Sequence, residues 1–120
     1  MSDSNGWIGV DLDRTLAHYD EWRGIGHIGE PVPVMAGRVK RWLAEGKDVR
    51  IFTARVSPPL GHKDESIVRR TIQAWCRKHL GCELPITCTK DWDMIELWDA
   101  RAVSVLPNTG RVLIPAGYQA

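Results

Sequence analysis

Residues 7–17 read WIGVDLDRTLA: an apolar run, two acids one residue apart, then an arginine and a threonine. The run is short, rich in Ile and Val and entered from Asn5-Gly6, which reads as a buried strand over GWIGVDL, residues 6–12. Asp11 and Asp13 then stand where that strand ends, and they decide how the rest of the chain is read.

Outward from this strand, short apolar runs alternate with longer helical patterns, the signature of a parallel sheet covered by helices, so the fold class is α/β. In PVMAGRVKRWLAEGK, residues 33–47, the apolar Met35, Val39, Trp42 and Leu43 recur at helical spacing. Pro33 starts that helix and Gly46 stops it. DVRIFT at 48–53 predicts the second strand. A second helix follows from about Lys63 to Leu80, with Ile67, Val68, Thr71, Ile72, Trp75, Cys76 and Leu80 on one face and Gly81 at its end. PITCTK (85–90), MIELWD (94–99) and AVSVL (102–106) predict third, fourth and fifth strands, and PNTG turns the chain into a terminal strand RVLI at 111–114. No repeat, low-complexity tract or linker interrupts the pattern. The 120 residues suit one domain, 1–120.

Charge and cysteine usage narrow the class. Sixteen Lys plus Arg against fifteen Asp plus Glu leave a formal charge of +1, so no global basic field points to nucleic acid. Cys76, Cys82 and Cys88 lack the close pairs of a metal knuckle and read as reduced thiols. The polar start MSDSNGW has no apolar core and no run is long enough to span a bilayer; a cytoplasmic protein without membrane contact or an obligate protein partner is expected.

Ligands of open α/β sheets bind beyond the carboxyl ends of the strands. That edge collects Asp11 and Asp13 from the first strand, Thr53 from the second, Lys90 from the third and Asp99 from the fourth. Residues two apart on a strand project alike, so Asp11 and Asp13 share one small volume. Like charges in one place are costly unless a cation or a proton separates them, and hard oxygen ligands favour Mg²⁺.

With these residues placed, the chain resembles the haloacid dehalogenase-like phosphohydrolases, in particular their small, minimally capped members, and more distantly polynucleotide 3′-phosphatase domains. DLDRT at 11–15 is similar to the family's DxDxT motif, FTAR at 52–55 to its second motif, TKD at 89–91 to its third, and ELWDAR at 96–101 stands where its acidic fourth belongs. The resemblance implies a Rossmannoid three-layer sandwich with a mainly parallel central sheet. It implies a Mg²⁺-dependent phosphatase in which Asp11 attacks phosphorus to give an aspartyl-phosphate and Asp13 serves as acid and then base. It further implies phosphate contacts from Thr53, Ala54 and Lys90, metal ligation by Asp11, Asp13 and Asp99, and substrate contacts from Arg55 and Trp22.

Two positions depart from the family pattern. Relatives carry two adjacent acids in the fourth motif, where this chain has Asp99 and Ala100; either Asp99 takes over the missing role or metal affinity and turnover fall. Arg14 occupies a position that is glycine in many relatives. The intervals HYDEWRGIGHIGEPVP (18–33) and VSPPLGHKDES (56–66) leave room for a short flap only. An open site suits phosphate on a nucleic-acid end as well as on a small molecule. Trp42, Trp75 and Trp98 read as core, Trp92 as a neighbour of the pocket or an anchor, and the four histidines lack zinc spacing, His18 and His27 lying within the flap. Ala100 leaves one rival reading, a catalytically weak phosphate- or nucleotide-binding module with a regulatory or scaffolding role. A phosphoacceptor receiver domain has no need of Asp13.

Overall fold

The computed structural model describes residues 5–58 and 64–113. Strand β1 spans Trp7–Asp11, helix α1 Pro33–Ala44, strand β2 Asp48–Phe52, helix α2 Glu65–Leu80, strand β3 Ile86–Thr87 and strand β4 Met94–Trp98. A single 3-10 turn, Ala54–Val56, follows β2.

The four strands form one parallel sheet in the order β3-β2-β1-β4. Chain and sheet advance together from β1 through β2 to β3, then the chain returns to lay β4 on the far side of β1. The direction of winding therefore reverses at β1, which opens a crevice between the carboxyl ends of β1 and β4.

Both helices cover the same face. Ile8, Val10, Val49 and Ile51 of the sheet pack with Met35 and Val39 of α1 and Val68 and Ile72 of α2 in one core cluster. Each such side chain contributes about 1.5–3 kcal/mol when fully buried. Pro33 at the first turn and Gly46, at φ 80°, bound α1 as its sequence predicts. Gly81, at φ 88°, closes α2 with its N–H on the Cys76 carbonyl, 3.2 Å away. Ile67, expected on the apolar face of α2, is 43% exposed; Val68, Ile72, Trp75, Cys76 and Leu80 carry that face without it. Lys63, the expected start of the helix, lies outside the described residues.

The opposite face of the sheet carries no helix among the described residues, so the expected three layers are two here. Trp7, which is buried, lies across Gly9, where a Cβ would meet the Met94 Cε at 2.7 Å, the Trp7 ring at 3.1 Å and the Leu97 Cδ1 at 3.3 Å. The Arg50 guanidinium stacks 4.7 Å over the Trp7 ring, and the indole N–H donates to Asp91 at 2.8 Å. One layer of side chains thus closes this side. The cause lies in residues 88–93, which run from the end of β3 to the start of β4, where Trp7 N–H donates to the Asp93 carbonyl at 2.9 Å. That stretch is too short to contain a crossover helix.

The same connection shortens β3 relative to the expected strand at 85–90. Thr87 Oγ1 accepts from the Thr89 N–H at 3.0 Å, turning the chain out of the sheet after two residues. The expected fifth strand and terminal strand do not join the sheet. Residues 102–106 and 111–113 form a local antiparallel bridge, Val105 to Val112, around the anticipated 107–110 turn. Leu106 N–H donates to the Arg111 carbonyl and Leu113 N–H to that of Ser104, both at 2.7 Å, so the segment satisfies backbone groups internally. Ile114 is outside the described residues. Among the described residues no helix is long and apolar enough to cross a membrane.

Candidate active site

The crevice at the winding reversal is a cavity of about 320 Å³, lined by Asp11, Asp13, Arg14, Tyr19, Trp22, Phe52, Thr53, Ala54, Arg55, Asp99 and Arg101. Of the residues expected from sequence, it gathers all but Lys90.

Asp11 ends β1, and the backbone then turns sharply: the Leu12 carbonyl accepts from the N–H groups of Leu16 at 3.0 Å and Ala17 at 2.8 Å. This turn brings Thr15 back over the strand end. Its hydroxyl donates to Asp11 Oδ2 at 3.1 Å and accepts from the Ala100 N–H at 2.9 Å, linking the turn after β1 to the loop after β4. Burial pushes the Asp11 carboxyl up from 3.8 to about 6, and Asp99 and Asp13 add to the rise against the opposing hydrogen bond from Thr15.

Asp13 is held otherwise. Arg55 grips both of its oxygens, Nε to Oδ2 at 2.7 Å and Nη2 to Oδ1 at 2.9 Å. Arg55 is 5% exposed and capped by the Trp22 ring at 4.9 Å, and its third nitrogen, Nη1, is buried without a hydrogen-bond partner. Such a bidentate pair fixes the Asp13 side chain in place, and both oxygens must be released, wholly or in part, before Asp13 exchanges a proton with anything else.

Thr53 is buried at the end of β2, its N–H on the Thr87 carbonyl at 2.8 Å. Its Oγ1 accepts from the Arg55 N–H at 3.1 Å, which leaves the hydroxyl proton available for an oxygen in the cavity. Arg14 takes φ 75°, a left-handed conformation that glycine adopts freely and arginine does not, and its guanidinium packs 5.0 Å over the Tyr19 ring. Asp99 is half-buried, with Oδ1 accepting from the Arg101 N–H at 2.8 Å.

Lys90 lies on the exposed connection that descends toward the start of β4, and does not line the cavity. Trp92, on the same connection, is 98% exposed and also stands apart from it. Trp42 is buried and Trp98 packs edge-on against it at 5.2 Å; Trp75 meets the His79 ring at 4.8 Å. His18 and His27 are exposed and do not line the cavity. Sequence reasoning passed over Tyr19 and Arg101; Arg101 was visible as the residue closing ELWDAR, whereas nothing in the flap marked Tyr19.

Among the described residues no three His, Cys, Asp or Glu side chains are drawn together as a metal cluster. Asp11 and Asp99, the latter close enough to raise the cost of ionising Asp11, offer two hard oxygen donors, which is the number that Mg²⁺ asks of a protein when substrate and water supply the rest. Asp13, engaged by Arg55, is not a free third ligand. Comparison with protein-family models, with curated proteins and with solved structures finds no match to this chain.

Proposed function

We propose that this protein is a Mg²⁺-dependent phosphohydrolase that forms an aspartyl-phosphate on Asp11. The supporting observation is the convergence of Asp11, Asp13, Asp99 and Thr53 on one cavity at the winding reversal of a parallel sheet. The resemblance of DLDRT and FTAR to haloacid dehalogenase-like motifs agrees with this reading.

Asp11, oriented by Thr15, attacks phosphorus; an Asp11 oxygen–phosphorus bond forms as the bond to the leaving oxygen breaks. Asp13, released from Arg55 and protonated from solvent, gives that proton to the leaving oxygen, then regains one from the water that hydrolyses the intermediate and returns Asp11 as a carboxylate. Thr53 donates its hydroxyl proton to a phosphoryl oxygen. Asp11 and Asp99 would hold Mg²⁺, which supplies charge neutralisation at the phosphoryl group. Substrates are phosphomonoesters, on a small molecule or a nucleic-acid end, in the cytoplasm.

The test is phosphate release from an aryl phosphate and from a 3′-phosphorylated oligonucleotide, with and without Mg²⁺. The reading requires turnover that is lost in Asp11→Asn and without the metal. Ala100 favours a second reading, a phosphate- or nucleotide-binding module of little turnover; phosphate binding without release by either the present chain or Ala100→Asp would establish it.

A further inference from the structure

We infer that the phosphoryl group is neutralised in this chain by the guanidiniums of three residues that line the cavity, Arg14, Arg55 and Arg101, and not by Lys90. The inference rests on the phosphatase reading of the same site and concerns which cations serve it.

Lys90 is exposed, on a connection leading away from the cavity, and it makes no ion pair among the described residues. The cavity instead holds three arginines against three aspartates, Asp11, Asp13 and Asp99, so its formal charges cancel without any lysine. A phosphate dianion arriving with one divalent cation leaves that balance unchanged.

The arginines are also prepared for an anion. Arg55 Nη1 is a buried donor with nothing to bond, a state that a native site tolerates where a ligand completes it. Arg14 and Arg101 form no ion pair among the described residues, although both border the cavity. Arg14 reaches it from a left-handed backbone position, which costs conformational energy that a merely solvated arginine would not justify. The Arg14 and Arg55 guanidinium carbons lie over the Tyr19 and Trp22 rings, so aromatic side chains of the flap pack against two of the three arms. Planar guanidiniums suit phosphate oxygens by geometry as well as charge.

The experiment measures inorganic phosphate binding by calorimetry without added metal, and kcat/KM on an aryl phosphate with Mg²⁺, for the parent, Arg14→Gly, Arg101→Gln and Lys90→Gln. Arg14→Gly relieves the positive φ, so loss of the fold does not confuse its result. Arg14→Gly and Arg101→Gln are each expected to weaken phosphate binding by about tenfold or more, the loss of one charge-assisted bond. Lys90→Gln is expected to change it by less than about twofold, as an exposed charge does. If the parent binds and hydrolyses phosphate and Lys90→Gln loses tenfold, or both arginine variants keep parental affinity, the inference is overturned while the phosphatase reading stands. If the parent neither binds phosphate nor releases it, both fall.

Discussion

Replacing Asp11 with asparagine should stabilise the metal-free protein at neutral pH, and by an amount that the pH dependence identifies. The carboxyl titrates near 6 in the folded chain and at 3.8 when unfolded. Below 3.8 both states carry the proton and Asp11 is neutral to stability. Between those values the folded state holds the proton more tightly, so stability falls as pH rises and the penalty is complete above about 6. A shift of roughly two units corresponds to about 3 kcal/mol at most. Asp11 is only half-buried, and solvent screening reduces this to about 1–2 kcal/mol. The asparagine amide would retain an acceptor for the Thr15 hydroxyl, so the change removes charge and little else. Thermal unfolding at pH 7.5 in chelator should show Asp11→Asn melting about 5 °C above the parent, with the gap closing near pH 4. Added Mg²⁺ should raise the parent and leave the variant unmoved, because binding to the folded state alone stabilises it. An Asp11→Asn protein no more stable than the parent at pH 7.5, or one whose advantage persists at pH 4, would refute the reasoning.

Three other outcomes follow from the geometry. Ala100→Asp places a further carboxylate beside Asp99 and should tighten Mg²⁺ binding about tenfold by calorimetry, at the cost of a lower melting temperature in chelator. Arg55→Ala removes the grip on Asp13 and should cost about 3 kcal/mol in urea unfolding, since it strands a partly buried carboxylate. Gly9→Ala drives a methyl into Met94, Trp7 and Leu97 and should cost about 1–3 kcal/mol in the same assay, although Gly9 itself does not line the cavity.

Much of this architecture was legible because it is written in local signals. The apolar run through Ile8 and Val10, Pro33 and Gly46 around α1, and Gly81 after α2 each act within a few residues, and the structure keeps them. Asp11, Asp13, Thr53 and Asp99 fell at strand ends, which a parallel sheet aligns automatically. Lys90 is not among the lining residues, because its place depends on where the chain goes after β3: the short connection to β4 is exposed at that point, and no pattern within TKD encodes that route. The valines at 103, 105 and 112 have the alternation of strands, yet their partner was decided by the nearby turn in place of the sheet. The Asp13 to Arg55 pair spans 42 positions of sequence and is set by tertiary contact alone.

The bond from the Ala100 amide to Thr15, and from Thr15 to Asp11, has a consequence for how this site tolerates change. The loop after β4 supports Asp11 through a main-chain N–H, a group that every residue except proline supplies. Side chains at position 100 are therefore free to vary without loosening Asp11, and an acid can be introduced there while the Asp11 carboxylate keeps its bearing. Proline alone would cut the tether, making it the substitution that lineages carrying this loop should avoid.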